Sequence, residues 1–179
     1  MNKFIIAVVL LALTTSVQAE FYMEAGVEFG GDTLISTTSG GGIKAGQGLK
    51  FALGIQNQVS EKGNSLSFAI GYLFDELEAS NGIAEISTLT FDTIYSVQRG
   101  GHRFGIGGSY HIGPTYKDNI AGFSPLTIDF DDALGLILQY SYARNPGFQA
   151  GFRYTQIDYN VGSLSLDASS FGIFLSNGF

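Results

Sequence analysis

The stretch FYMEAGVEFG, residues 21–30, alternates strictly between two kinds of side chain. Its odd positions are apolar, and its even positions carry glutamate, glycine and one tyrosine. Successive side chains of a β-strand point to opposite faces of the sheet, so a period of two predicts a strand with one apolar and one polar face. The apolar face consists of Phe21, Met23, Ala25, Val27 and Phe29.

The same alternation returns in seven later segments, which makes the predicted fold all-β. These segments cover approximately residues 49–56, 66–75, 89–98, 103–112, 134–142, 148–155 and 170–179. Two of them lose phase, because the apolar positions change from even to odd between Tyr154 and Ile157 and between Leu166 and Phe171. One extra residue in a strand would produce each change, so the sequence predicts β-bulges near Gln156 and Ala168.

Alternation alone permits two opposite arrangements of the faces. A soluble barrel or sandwich buries its apolar face, whereas a membrane barrel turns that face toward lipid. Here the second face is mostly Gly, Ser, Ala, Thr and Gln, and only 14% of the chain is charged, against about 25–35% for a soluble surface. Small side chains also suit the narrow interior of an eight-stranded barrel. The composition therefore favours the membrane arrangement, with the soluble barrel as the alternative.

The connections between the segments alternate in length, as they do in outer-membrane barrels. The short ones lie at residues 60–64, 99–102 and 144–147, and the long ones at 33–46, 76–85, 115–127 and 160–167. Short turns face the periplasm in such barrels, and long loops face outward. The sequence therefore predicts an eight-stranded antiparallel up-and-down transmembrane β-barrel with both termini on the periplasmic side.

Residues 1–19 are predicted to be a signal peptide, and residues 20–179 the barrel domain. Lys3 supplies the positive charge, residues 4–13 form an apolar core, and Val17-Gln18-Ala19 places small residues at the cleavage position. The alternative is an N-terminal anchor helix that is kept, but ten apolar residues are too few to span a bilayer. The chain has no cysteine, so no disulfide stabilises the fold.

These features together resemble the small bacterial outer-membrane β-barrel family, without indicating a subfamily. The resemblance rests on the signal, the eight segments and the final strand FGIFLSNGF, residues 171–179, which ends in an aromatic residue. It implies a location in the outer membrane of a Gram-negative cell envelope, among outer-membrane lipid and lipopolysaccharide. It also implies insertion by the barrel-assembly machinery, which recognises the strand ending at Phe179. Roles in the family range from passive anchor to adhesin, narrow pore or lipid-modifying enzyme.

Charged residues on the small-residue face should point into the lumen. Unpaired charges are costly to bury, so we expect a salt-bridged plug that includes a Glu28–Lys50 pair on adjacent strands. The predicted luminal polar network is Glu24, Glu28, Lys50, Asp92, His111 and Arg153. Two alternatives are a narrow polar conduit and a pocket for an acyl chain beside the luminal glycines. Ile137 and Phe174 lie on this face as apolar exceptions.

The sequence offers little for catalysis. Ser109 lies two residues before His111, and a base beside a hydroxyl could activate it. Lipid A hydrolases of this size carry a serine two residues after the histidine, where this chain has Gly113, so that motif is not matched. We predict no catalytic residue, and this favours a protein without enzymatic activity.

The outer end is acidic and carries one candidate metal site. Asp129, Asp131 and Asp132 supply oxygen ligands that Ca²⁺ or Mg²⁺ could use, although no calcium-loop spacing is present. No other cofactor is expected. With 16 acids against 9 bases, the chain is not expected to bind nucleic acid. The predicted function is a structural or surface-interaction role that presents acidic loops; the alternatives are lipid A modification, acyl-chain binding and a small-solute pore.

Overall fold

The computed structural model describes residues 19–36, 41–60, 63–145 and 147–179. Its strands are β1 (Ala19–Gly30), β2 (Thr33–Ser36), β3 (Gly42–Lys44), β4 (Gly48–Gln58), β5 (Ser65–Ala79), β6 (Gly82–Arg99), β7 (His102–Ile120), β8 (Leu126–Asp129), β9 (Ala133–Asn145), β10 (Phe148–Gln156), β11 (Asp158–Val161), β12 (Leu164–Asp167) and β13 (Ser170–Gly178). The predicted signal peptide lies outside the described residues, except for Ala19, which begins β1. The described ranges contain no helix with the length and hydrophobicity needed to cross a membrane.

Eight of these strands form a closed antiparallel barrel. Neighbours along the chain pair with each other in the order β1, β4, β5, β6, β7, β9, β10 and β13. The last strand then pairs with the first, with Tyr22 opposite Gly178 and Gly30 opposite Ser170. Closure leaves the barrel without a free sheet edge. The predicted eight-stranded antiparallel up-and-down topology is therefore confirmed.

The barrel has an apolar exterior and a polar interior. Side chains of the apolar face point outward, and Leu53 and Leu134 are 64% and 78% exposed. The opposite face is buried and includes serines, threonines and ionisable residues such as Asp92 and Arg153. This is the reverse of a soluble barrel, so the predicted assignment of the two faces is correct.

The described parts of the long connections contain further β-structure at one end of the barrel. Residues 33–36 pair with residues 42–44 as β2–β3, and residues 158–161 pair with residues 164–167 as β11–β12. The β5–β6 pair continues to Ala79 opposite Gly82, and β8 adds to the outer part of β7. We call this the outer end. The other end carries the short connections, of which residues 61–62 and 146 lie outside the described residues.

The two predicted bulges are absent. Pairing runs in one register from Tyr154 opposite Phe171 to Asp158 opposite Asp167. The phase change in the sequence has another cause: Ile157 and Tyr159 point inward, as do the luminal polar residues below them. Where the strands rise beyond the apolar belt, their inner face becomes the apolar one, because the surroundings change from lipid to water.

The inward apolar residues of the outer end form a cluster that we call the outer cap. It consists of Ile43, Ala45, Ala84, Ile86, Tyr116, Phe130, Ala133, Ile157, Tyr159 and Ala168. Every outer hairpin contributes to it, so the cap ties the hairpins together. It lies at the outer opening of the barrel, above the luminal charges.

A bulge that the sequence does not predict lies in β7. The register with β6 shifts between Ser87 opposite Thr115 and Leu89 opposite Ile112. Gly113 lies at this point with a φ of +54°, a left-handed conformation that strongly favours glycine. The extra residue turns the buried Tyr116 inward, where it joins the outer cap.

Candidate functional site

The six residues of the predicted polar network all lie in the lumen. Each is less than one-tenth exposed. They come from five different strands, β1, β4, β6, β7 and β10, so only the closed barrel brings them together.

Asp92 is the centre of this network. One carboxylate oxygen accepts hydrogen bonds from Lys50 Nζ at 2.7 Å and from Arg153 Nη1 at 3.4 Å. The other accepts from the Ser109 hydroxyl at 2.5 Å. One acid on β6 therefore bridges two cations, which come from β4 and β10.

The predicted pair between Glu28 and Lys50 is wrong. Lys50 extends across the lumen to Asp92, and Glu28 accepts a hydrogen bond from the Ser170 hydroxyl at 2.9 Å. The register explains this difference, because Gly26 is the residue opposite Lys50 on β1, while Glu28 is opposite Gly48.

Arg153 is held by a complete set of partners. Its guanidinium contacts both carboxylate oxygens of Glu24, at 2.7 and 2.9 Å, and donates to Gln139 Oε1 from Nε and Nη2 at 3.0 and 2.7 Å. The ring of Phe174 lies 5.1 Å from its central carbon, which allows a cation–π interaction. The apolar exception at Phe174 is therefore part of the network.

His111 joins the polar network to the outer cap. Its Nδ1 lies 2.7 Å from the Tyr159 hydroxyl, and the Tyr159 ring packs against Phe130 with centroids 5.7 Å apart. Ser109 donates to Asp92 instead, so this serine and histidine do not form a hydroxyl–base pair. Both are buried, and the arrangement favours a structural role for them over nucleophilic catalysis.

The luminal glycines do not leave an empty pocket. A Cβ atom added at Gly54, Gly71, Gly105 or Gly151 would come within 2.5–2.8 Å of the side chains of Tyr22, Thr90, Ile94 and Phe174, respectively. Larger neighbours therefore fill the space that the glycines provide. A small cleft beside Tyr22 and Arg153 has a free volume of about 20 Å³, room for roughly one water molecule. The space beside these glycines is therefore too small for an acyl chain.

A luminal cation in addition to Lys50 and Arg153 lies nearer the end with the short connections. Arg103 donates to Gln56 and Gln149 at 2.6 and 3.2 Å through Nη1, and to Gln98 at 3.1 Å through Nη2. The predicted network did not include Arg103. Its place in the alternation, two residues before luminal Gly105, is the signal that could have identified it.

The three candidate metal ligands are not gathered into a site. Among the described residues, no group of three or more His, Asp or Glu side chains could hold a metal ion. Asp129 accepts from the Thr115 hydroxyl at 3.0 Å, and Asp132 from the Tyr110 hydroxyl at 2.8 Å and the Gly113 N–H at 3.0 Å. These two bonds hold the pKa of Asp132 below its ordinary value.

A closed eight-stranded antiparallel barrel with an apolar exterior and a polar interior is the fold of small outer-membrane β-barrels. Two solved structures of this class are similar to the chain. Neisserial surface protein A is 15% identical, with 90% of this chain and 99% of that chain covered and a TM-score of 0.55. Ail, the attachment invasion locus protein of Yersinia pestis, was crystallised with the heparin analogue sucrose octasulfate; it is 8% identical, with coverage of 90% and 97% and a TM-score of 0.56. No protein-family model and no curated protein match the sequence.

Proposed function

We propose that this protein is an integral outer-membrane β-barrel that acts through its extracellular surface, where the barrel holds acidic hairpins in a fixed arrangement. The observation that carries this proposal is that the lumen is blocked at two levels, its centre and its outer opening. The ion network around Asp92 fills its centre, and the outer cap covers its outer opening. The surfaces left for interaction are the exterior of the barrel and the hairpins.

The exposed apolar belt supports the membrane location. On β7 it runs from Phe104 to Ile112, a distance of about 26 Å along the strand. Tilted by about 35–45°, this length spans about 20 Å, close to the apolar band of roughly 25 Å in outer-membrane barrels. Outer-membrane lipid and lipopolysaccharide are then the surroundings of the belt.

The terminal strand offers a feature for the proposed assembly route. The Phe179 N–H donates to the Phe21 carbonyl at 2.8 Å, and their rings stack with centroids 6.5 Å apart. The last residue therefore lies at the seam where the barrel closes. We propose that the barrel-assembly machinery recognises this strand.

The outer end carries a strong excess of negative charge. Its acids are Asp32, Asp75, Glu76, Glu78, Glu85, Asp118, Asp129, Asp131, Asp132, Asp158 and Asp167. Only Lys44 and Lys117 oppose them, and Lys117 is paired with Glu85 at 3.1 Å. Such a surface attracts cationic partners and repels anionic ones. We propose a basic protein surface as the partner, in contrast to the sulfated ligand seen on Ail.

Binding measurements on the barrel in lipid nanodiscs test this function. We expect a small basic protein to bind with an affinity that falls as salt rises, and sucrose octasulfate not to bind. Neutralising Glu76, Glu78 and Asp158 with Gln, Gln and Asn should weaken the binding. Glu20→Gln, at the other end of the barrel, is the matched control. Binding of the octasulfate, or equal affinity in the neutralised variant, would contradict the proposal.

The alternative functions have less support. A small-solute pore or an acyl-chain site needs open space in the lumen, and a lipid A-modifying enzyme needs an accessible nucleophile. Ser109 and His111 are both enclosed and have separate partners. Mass spectrometry of lipid A from cells with and without the gene tests the enzyme alternative, which requires a changed acyl pattern.

A further inference from the structure

The turn between β6 and β7 carries a basic and aromatic patch on the outside of the barrel. Arg99 and His102 are opposite each other across this turn, and His102 is also opposite Tyr142 on β9. All three are exposed. They share the outward face with Tyr140, two residues before Tyr142. We call Arg99, His102, Tyr140 and Tyr142 the rim patch.

The aromatic residues orient the imidazole of His102. Its Nδ1 lies 2.8 Å from the Tyr140 hydroxyl, and its ring centroid lies 5.3 Å from that of Tyr142. When the phenol donates to Nδ1, the ring proton is on Nε2, and the doubly protonated ring carries a proton there as well. In both of these forms Nε2 is a donor at the surface, and it has no hydrogen-bond partner among the described residues.

Arg99 supplies a second open group of donors. Its guanidinium makes no hydrogen bond or ion pair with any residue that the structure describes. On β7 the apolar belt begins at Phe104, opposite Tyr140 on β9, so Arg99 and His102 lie one step beyond the belt. Lipid phosphates lie at this level of a bilayer, and tyrosines are enriched there. Arginine recognises phosphate oxygens in a bidentate manner.

We propose that the rim patch binds the phosphate headgroup of an anionic phospholipid in the periplasmic leaflet. The orientation of the barrel comes from the proposed function, on which this inference rests. An anionic lipid is favoured over a zwitterionic one because its phosphate is not neutralised by an ammonium group of its own. Among the described residues, no acid pairs with Arg99 or His102, so none competes with that phosphate.

Native mass spectrometry of the folded barrel tests this proposal. The protein is released from vesicles that contain equal amounts of phosphatidylglycerol and phosphatidylethanolamine. We expect wild type to retain phosphatidylglycerol, and the double variant Arg99→Gln/His102→Gln to retain several-fold less, with unchanged phosphatidylethanolamine. Lys117→Gln removes one positive charge at the outer end and should behave as wild type. Tyr140→Phe should give an intermediate loss, because it releases the imidazole without removing a charge.

The outcomes separate this proposal from the one on which it rests. Equal retention of phosphatidylglycerol in wild type and the double variant would overturn the rim-patch proposal alone. Displacement of the lipid by millimolar inorganic phosphate would overturn it too, since the site would then recognise free phosphate. A chain that fails to insert into the vesicles at all, judged by protease accessibility and a heat-dependent gel shift, would overturn both proposals.

Discussion

Asp92 is the residue on which the luminal network depends most. It is 4% exposed and bridges Lys50 and Arg153, so Asp92→Asn leaves two buried cations with too little negative charge. Removing one partner of a buried ion pair costs about 3–5 kcal/mol. We expect a loss of this size in the free energy of unfolding, measured by urea titration in lipid vesicles. Glu78→Gln, on the exposed outer end, is the control and should change little. A comparable loss in both variants would show that Asp92 has no special role.

Asp132 makes the stability of the outer end sensitive to acid. The Tyr110 hydroxyl and the Gly113 N–H hold its pKa below the ordinary value of 3.8. A lowered pKa in the folded state stabilises the fold above the ordinary value, and this contribution is lost as the pH falls through the folded pKa. We expect the hydrogen exchange of the Gly113 amide to become faster as the pH falls below 3.8, by more than the pH dependence of the intrinsic exchange rate accounts for. Asp132→Asn should remove that excess, whereas Asp131→Asn should preserve it.

At the scale of the strands, glycines set how closely luminal side chains pack. A Cβ atom at Gly71 would lie 2.6 Å from the Thr90 hydroxyl oxygen on the adjacent strand β6. Gly71→Ala should therefore destabilise the barrel by about 1–3 kcal/mol, the usual cost of overpacking. Adding Thr90→Ala should recover part of this loss, because it removes the closest atom, while Phe51 O and Ala52 Cβ at 3.1 and 3.2 Å still limit the recovery. Urea unfolding of the single and double variants measures both effects, and an additive loss would contradict this packing.

The strands also show which features the alternation of side chains predicts correctly and which it does not. All eight barrel strands were predicted from alternation, because each has lipid on one side and a crowded polar lumen on the other. The predicted bulges near Gln156 and Ala168 were wrong because the apolar face does not stay outside along the whole strand. Ile157 and Tyr159 lie above the belt, where the inner face is apolar. The alternation of apolar residues shows no clear change of phase at Gly113, so the bulge there could not be predicted from the sequence.

At the scale of the whole molecule, the closed lumen makes the barrel a poor conduit. Lys50, Asp92 and Arg153 connect strands on different sides of the lumen, and the outer cap covers the opening above them. We expect no steady conductance when the protein is reconstituted in planar bilayers. A larger porin in the same bilayers is the positive control. A reproducible steady current from this protein would contradict the closed lumen and favour the pore.

The sequence by itself determined the class of fold and the direction of its faces. A period of two specifies strands, and small polar residues opposite aromatic and aliphatic ones specify which face meets lipid, since both signals are local to each strand. It also identified six ionisable residues of the lumen, although not Arg103, because within the apolar belt a charge on the small-residue face points inward.

The tertiary structure decided which of these residues meet. Lys50, Asp92 and Arg153 come from three strands, and their contacts depend on the tilt and register of the closed barrel. The same closure places Tyr22, Thr90, Ile94 and Phe174 over the glycines, which turns a possible pocket into a packed interior. Contacts across a lumen join residues far apart in the chain, and no local pattern in the sequence encodes such distances.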